Sequence, residues 1–306
     1  MTKKLSISAL LRKTGAFAVV ATTLLLSFTA CSSAAQKSTA TPQVSTPTPQ
    51  ATIAAPKNKN LTLATTTSVN DSGLMDYLRP VFEKDSGMTL KVVSQGTGQA
   101  VKTGQDGNAD VLLIHDKASE EKFVSDGYGL KRIELAYNYF VIVGPKDDPA
   151  GISKDKMTAA QAFKKIADTQ STFISRGDDS GTNKKEITIW NANTIKPSGN
   201  WYVSAGKGMG DVLSMASEKK GYTLTDKATY LAMKDKLDLK IVVDASEDLK
   251  NQYTVIEVNP DKHQNINKEG ADIFVNWITS DKALKMINEY GKDKYGEGLF
   301  IVNYKK

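Results

Sequence analysis

Cysteine is almost absent. Cys31 is the only one in 306 residues, so no disulfide can form within the chain and no thiolate cluster can hold a metal. Histidine is nearly as scarce. His115 and His263 are the only two, and the spacing of a zinc site is missing. His115 closes an apolar strand pattern and His263 lies in the loop Pro260-Asp261-Lys262-His263, positions that read as structural or solvated rather than catalytic. No G-x-S-x-G elbow surrounds Ser180. The loop Gly206-Lys207-Gly208-Met209-Gly210 is neither a Walker A loop nor a dinucleotide fingerprint. It reads as a close backbone approach, or a tight turn into a helix over Met209–Lys219. Little is left for catalysis, and the chain reads as a non-enzyme with no cofactor and no metal site.

No apolar run is long enough to span a bilayer comfortably. Gly15 to Phe28 is too short. It follows a basic leader, Lys3, Lys4, Arg12 and Lys13, and ends at Phe28-Thr29-Ala30-Cys31. That is the pattern of a lipoprotein signal peptide over residues 1–30, with Cys31 as the lipidated first mature residue. Residues 31–56 are rich in Ser, Thr, Ala, Gln and Pro, with prolines at 42, 47, 49 and 56. Such a segment has little to bury and is expected to be a disordered tether. The expected location is extracytoplasmic, lipid-anchored to the outer face of the cell membrane.

A strong charge of one sign is also missing. The formal net charge is +6, from 40 basic and 34 acidic side chains. Residues 1–30 hold four of the basic groups and no acid, which leaves 36 against 34, or +2, on the remainder. No basic stripe interleaved with aromatics is present, which excludes the single-strand nucleic-acid binders.

What is present is alternation. Strand-like runs occur at Leu61–Thr65, Leu90–Ser94, Val111–His115, Phe140–Gly144, Phe173–Ser175, Ile241–Asp244 and Thr254–Val258. Helical patterns lie between them. Leu74, Leu78 and Phe82 share one helix face, and Ala159–Ala167 and Ala271–Tyr290 also read as helical. Pro80 is expected to kink or shorten the first of these helices. The pattern argues for an α/β fold with mainly parallel sheets from Lys57 onward.

Two turns are rich in anion donors. Ala64-Thr65-Thr66-Thr67-Ser68 lies between a strand and a helix expected to begin near Asp71. The first N–H groups of a helix lack intrahelical partners, and hydroxyls beside them add neutral donors. An ordinary N-cap cluster looks the same. The second turn is Phe173-Ile174-Ser175-Arg176-Gly177-Asp178-Asp179-Ser180-Gly181-Thr182. Here a strand ends, Arg176 supplies a planar charged fork, and Ser180 and Thr182 open a helix through Trp190. The competing reading pairs Arg176 with Asp178 or Asp179 at the surface. Two donor turns a hundred residues apart suggest two lobes closing on one ligand.

With these pieces the chain resembles the substrate-binding proteins of tungstate-type ABC importers. The matching segments are ATTTS at 64–68, GTGQA at 96–100, ADVLLIH at 109–115, NYFVIVGPKDDPAGI at 138–152, SRGDDSGT at 175–182, GKGMG at 206–210 and YTLTDKATYLA at 222–232. The resemblance implies a two-lobed, periplasmic-binding-protein-like fold of type II. Each lobe would be a mainly parallel sheet flanked by helices, with the ligand in the inter-lobe cleft. Lobe 1 is expected over residues 57–139 plus 254–306 and lobe 2 over 140–253, with crossings near Leu135–Val143 and Tyr253–Val258. The implied ligand is tungstate, with molybdate as a second candidate, held by Thr66, Thr67, Ser68, Thr97, Arg176, Ser180 and Thr182. The implied partners are an ABC permease and ATPase, and the chain itself is expected to be a monomer. Proton count separates some ligands. Phosphate keeps a proton near neutral pH and benefits from a carboxylate acceptor, whereas tungstate, molybdate and sulfate need donors only. The alternatives are a phosphate or sulfate binder of the same fold, a surface phosphoesterase acting through Ser180, and an adhesin.

Overall fold

The computed structural model describes residues 57–306. The expected signal peptide, the lipidation site at Cys31 and the tether lie outside the described residues. From the amino end the elements are β1 (Asn60–Thr66), α1 (Thr67–Asp71), α2 (Leu74–Ser86), β2 (Thr89–Gln95), α3 (Thr97–Gln105), β3 (Val111–Ile114), α4 (Lys117–Ser125) and β4 (Gly129–Pro145). Then come α5 (Ala159–Thr169), β5 (Phe173–Ser175), α6 (Gly181–Ala192), β6 (Tyr202–Ser204), α7 (Met209–Glu218), β7 (Thr223–Asp226), α8 (Lys227–Met233) and β8 (Leu239–Val243). The chain closes with β9 (Lys250–Val258), α9 (Lys268–Ile278), α10 (Asp281–Glu289), α11 (Lys292–Tyr295) and β10 (Ile301–Val302).

Strands β2 and β3 flank β1 in parallel, with Leu61 opposite Leu90 and Leu63 opposite Val111. Strand β9 runs antiparallel to β3, and β4 runs antiparallel to β9 from Gly129↔Val258 to Tyr139↔Lys250. Past Tyr139, β4 changes partners. Phe140 pairs with Asp226 of β7, and Ile142 with Val243 of β8. One 17-residue strand, about 56 Å long at ~3.3 Å per residue, therefore belongs to both halves of the sheet.

The sheet is mixed, not mainly parallel. The three parallel pairings, β1 with β2, β1 with β3, and β5 with β6, each bracket a helix, as a parallel crossover requires. All five antiparallel pairings involve β4 or β9. The departure comes from these two long strands, whose pairing is non-local and leaves no trace in local periodicity.

Period-two burial explains why both faces are covered. Leu61 and Leu63 of β1, Val111 and Leu113 of β3, and Val255 of β9 pack with Leu78 and Phe82 of α2 and Phe274 of α9. The alternate residues, Ala64, Leu112, Ile114, Ile256 and Val258, face Ala100 of α3 and Phe123 of α4. The far end of β4 repeats the scheme. Phe140 and Ile142 join Phe163, Trp190 and Tyr222, while Val141 and Val143 join Met209, Val212 and Leu213. Full burial of each large side chain is worth about 1.5–3 kcal/mol.

Four local expectations need correction. The first helix starts at Thr67, inside the hydroxyl run, because the Thr66 side chain caps it by accepting from the Val69 N–H. Pro80 does not shorten α2, which runs through it. Pro80 and Asp76 are both exposed, so water can take the carbonyl that proline leaves unbonded. The run from Ala271 to Tyr290 is two helices, divided where Ser280 caps α10 by accepting from the Ala283 N–H. Strands β6, β7 and β10 were absent from the strand reading; each is four residues or fewer.

Candidate anion-binding site

The hydroxyl run leaves β1 at Thr66. Thr65 points back into the sheet and donates to the Leu113 carbonyl at 2.7 Å, so it holds β1 to β3 and is not part of the site. Thr66 Oγ1 and Ser68 Oγ lie 3.1 Å apart, both buried. Thr67 Oγ1 accepts from the Met209 N–H at 3.4 Å, and the Ser68 carbonyl accepts from Thr229 Oγ1 at 3.1 Å. Helix α1 has five residues, little more than one turn, so the hydroxyls and single N–H groups, rather than a macrodipole, supply the donors.

Strand β5 delivers Arg176 to the second turn. The backbone at Gly177 has φ +60, and a Cβ there would fall 1.9 Å from Ser204 Oγ, so only glycine passes. Arg176 is 1% exposed and pairs through Nη2 with Asp178. The other Asp178 oxygen accepts from the Ser180 N–H at 3.2 Å. Asp178 thus aims the guanidinium and braces the start of α6, while Asp179 turns outward to within 3.7 Å of Lys184. Ser180 is the N-cap of α6 and accepts from the Asn183 N–H. Thr182, in the first turn of α6, is 1% exposed.

Two atoms of this turn define its chemistry. Arg176 Nε and Thr182 Oγ1 are buried without a hydrogen-bond partner in the protein. A buried unpaired donor costs about 1–3 kcal/mol, more when charged. The other two such atoms among the described residues, Glu120 Oε1 and Thr254 Oγ1, lie on α4 and β9. Within the donor turns the unpaired groups are donors, as a fully deprotonated oxyanion requires.

The motifs converge. Gly181 N–H donates to Thr97 Oγ1 at 3.0 Å, joining the starts of α3 and α6. Gly96 and Gly98 make that approach possible: a Cβ at 98 would fall 2.2 Å from Asp179 Oδ2, and one at 96 would fall 3.2 Å from the Asp178 carbonyl. On one flank Lys184 reaches Asp116 at 3.1 Å and Ser119 at 2.7 Å. On the other, the Gly210 N–H donates to Asp71 Oδ2 at 3.1 Å. The glycine-rich loop at 206–210 is thus a close backbone approach. No hydrogen bond joins the hydroxyl run directly to Arg176 or Thr182. The ring of His115 lies between them, 3.0 Å from Ser68 Oγ through Nε2 and packed against Gly181.

Several buried groups surround these donors. Burial pushes His115 down to about 4 against its hydrogen bond to Asn251, so the ring is neutral at neutral pH. Burial pushes Asp226 up to about 6, opposed by the backbone and side-chain donors of Thr229. Asp71 is raised by burial, opposed by the Gly210 N–H. Glu186 is raised by burial although Ser175, Trp190 and Tyr202 all donate to it; it ties β5, α6 and β6 together behind Arg176. Burial favours the protonated form of Asp116, but the Ser119 and Lys184 hydrogen bonds outweigh it and hold its carboxyl low.

Sequence reasoning treated His115 as structural and passed over Asp71, Asp226, Asn138 and Asn251. Only Asp226 carried a usable signal, an Asp three residues before Thr229 at a helix start, which is an N-cap pattern. Trp201 and Tyr202 join the aromatic core as partly buried residues. His263 is held by the Gln105 carbonyl at 2.7 Å. Among the described residues no group of three His, Cys, Asp or Glu is placed to hold a metal ion, and no helix is long and apolar enough to cross a membrane.

This constellation, donor turns converging from α1, α3, α6 and α7 on a mixed α/β sheet, defines a solute-binding protein for a small anion. The PBP superfamily domain matches residues 35–282. The tungstate-binding protein TupA of Peptoclostridium acidaminophilum is 54% identical over 248 residues, covering 81% of this chain and 87% of that protein. The structure of the tungstate ABC transporter from Geobacter sulfurreducens has a TM-score of 0.70 at 47% identity, covering 76% of this chain and 99% of that one. The tungstate-binding protein TupA of Desulfovibrio alaskensis gives a TM-score of 0.66 at 42% identity, over 80% of this chain and 99% of its own. The chain belongs to the PBP superfamily and, within it, to the family of these tungstate-binding proteins.

Proposed function

We propose that this chain is the extracytoplasmic tungstate-binding component of an ABC importer. The observation that carries the reading is the pair of buried unpaired donors, Arg176 Nε and Thr182 Oγ1. Thr66, Thr67, Ser68, Thr97 and Ser180 complete the ligand set around them. Asp178 has both oxygens engaged, by Arg176 and by the Ser180 N–H, so accepting the proton of hydrogen phosphate would compete with both of these bonds. That favours a fully deprotonated oxyanion.

The lobes of this reading meet where β4 changes partners, between Tyr139 and Phe140. The return passage falls before Lys250, since β9 already pairs with Tyr139 at that residue. The contacts of Thr97 with Gly181, Lys184 with Asp116, and Gly210 with Asp71 then close the cleft, as a hinge-bending binding protein does around its ligand. Cys31 anchors the chain to the membrane, residues 32–56 tether it, and separate permease and ATPase chains receive the ligand. The protein acts as a monomer, binds no nucleic acid and performs no reaction of its own.

A thermal-shift series with tungstate, molybdate, sulfate and phosphate tests the reading, because a ligand of the folded state stabilises it by mass action. Tungstate raises the melting temperature at concentrations where sulfate and phosphate do nothing. A largest shift with phosphate, and none with tungstate, would make the chain a phosphate binder.

A further inference from the structure

The Ser68 hydroxyl belongs to a continuous buried relay. Ser68 Oγ lies 3.0 Å from His115 Nε2, and His115 Nδ1 lies 2.9 Å from Asn251 Oδ1. Asn251 Nδ2 donates to Asn138 Oδ1 at 2.9 Å and to Tyr253 Oη at 2.9 Å. Asn138 Nδ2 donates to Asp226 Oδ1 at 3.5 Å. The relay closes on itself, since Thr229 Oγ1 contacts both Asp226 Oδ2 at 2.8 Å and the Ser68 carbonyl at 3.1 Å. Every member is buried.

The direction of donation along this relay decides what the site can offer. In the polarity just described, an ionised Asp226 can only accept. Asn138 therefore turns its N–H toward Asp226, Asn251 turns its N–H toward Asn138, and His115 donates from Nδ1 to Asn251. The neutral ring then has a lone pair on Nε2, and the single Ser68 hydrogen goes to it. Thr66 in turn donates to Ser68 Oγ at 3.1 Å. Both hydroxyls then present lone pairs, which an oxyanion repels. Rotating the two amides by 180° exchanges their N and O positions and leaves the other heavy atoms in place; it reverses the chain once Asp226 takes a proton from solvent and donates it to the Asn138 oxygen that then faces it. Asn251 then donates to Nδ1, the ring carries its hydrogen on Nε2 and donates to Ser68, and the hydrogens of Ser68 and Thr66 are both released to the ligand.

We infer that His115 is the positioning residue of the anion site: oxyanion binding, with one proton taken up at Asp226, moves its ring hydrogen from Nδ1 to Nε2 and turns Ser68 and Thr66 from acceptors into donors. The inference rests on the oxyanion reading of the cleft. It needs no change in ring charge, consistent with a ring that burial keeps neutral. It also explains why a histidine serves here, since imidazole presents a donor and an acceptor in either tautomer and can exchange their positions.

The test is nitrogen-15 NMR of the histidine rings, run beside a calorimetric titration with sodium tungstate on the same sample. His263 is the only other histidine. Its Nε2 faces a carbonyl that can only accept, so it is a built-in reference for the Nε2–H form. The expected result is an Nδ1–H signature for His115 without tungstate and an Nε2–H signature at saturation, with His263 unchanged. Ser68→Ala is expected to weaken tungstate binding roughly five- to tenfold, the value of one neutral donor. Calorimetric binding with a ring that stays Nδ1–H, a ring already Nε2–H before tungstate, or wild-type affinity in folded Ser68→Ala overturns the inference and leaves the cleft assignment standing. No heat of binding at all overturns the cleft assignment and this inference with it.

Discussion

Arg176→Ala is the sharpest perturbation of the site. The side chain is 1% exposed, one of its nitrogens pairs with Asp178 and its Nε has no partner in the protein. Charge-assisted hydrogen bonds are worth about 1.5–3 kcal/mol each. Two guanidinium donors on the ligand make the loss roughly 3–6 kcal/mol, or about two to four powers of ten in affinity. The substitution also leaves the Asp178 carboxylate without its cation, beside an incoming dianion. Arg176→Ala combined with Asp178→Asn should therefore bind tungstate more tightly than Arg176→Ala alone, because neighbours in one network are not additive. Arg176→Lys should recover only part, since an ammonium cannot reproduce the planar fork. The assay is isothermal titration of the folded variants with sodium tungstate, with circular dichroism to confirm folding. Wild-type affinity in Arg176→Ala would make the residue a purely structural partner of Asp178 and refute the reasoning.

Thr182→Val should weaken tungstate binding by roughly two- to tenfold, yet leave the ligand-free protein as stable as before or more so, because a buried unpaired hydroxyl is removed; a clear loss of melting temperature without ligand would contradict this. Stability against pH tests the two buried titrating groups. His115, at about 4 in the fold against 6.5, stabilises fully above pH 6.5 and loses about 3 kcal/mol as pH falls to 4. Asp226, at about 6 against 3.8, does the opposite, with a penalty of about 3 kcal/mol above pH 6 that is relieved toward pH 4. The two nearly cancel in the wild type, so Asp226→Asn should show a urea-unfolding free energy that falls more steeply between pH 6.5 and 4; parallel curves would refute one of the assignments. Cys31→Ser should release the protein from the membrane, or leave an unprocessed precursor, without changing tungstate affinity. Membrane retention of a correctly cleaved Cys31→Ser protein would contradict the anchor.

Local signals carried much of the fold. The helix start at Ser180 and the strands through Leu61, Leu90 and Val111 could be read because each depends on a few neighbouring residues. The antiparallel pairing of β4 with β9 joins residues more than a hundred positions apart, and no window of sequence contains it. Strand β7 was visible only as part of a motif, since its four residues are too short to show alternation. For Arg176, ligand contact and ion pairing with Asp178 had looked like alternatives. The structure shows a buried pair that still leaves Nε unpaired, so the two are compatible. The purpose of the glycines at 96 and 98 appears only when the start of α3 is brought against Asp178 and Asp179 at the start of α6. His115 was unreadable for the same reason: its partners are Ser68 and Asn251, 47 and 136 positions away.

The central claim is that the converging donor turns take a fully deprotonated tetrahedral oxyanion, and that this oxyanion is tungstate, as kinship with the tungstate-binding proteins indicates. Isothermal titration of the purified protein at neutral pH with tungstate, sulfate and phosphate in turn tests it most directly. The account predicts one tungstate bound per chain, with sulfate and phosphate far weaker and neither able to displace it. Saturation by phosphate, with tungstate silent, would contradict it.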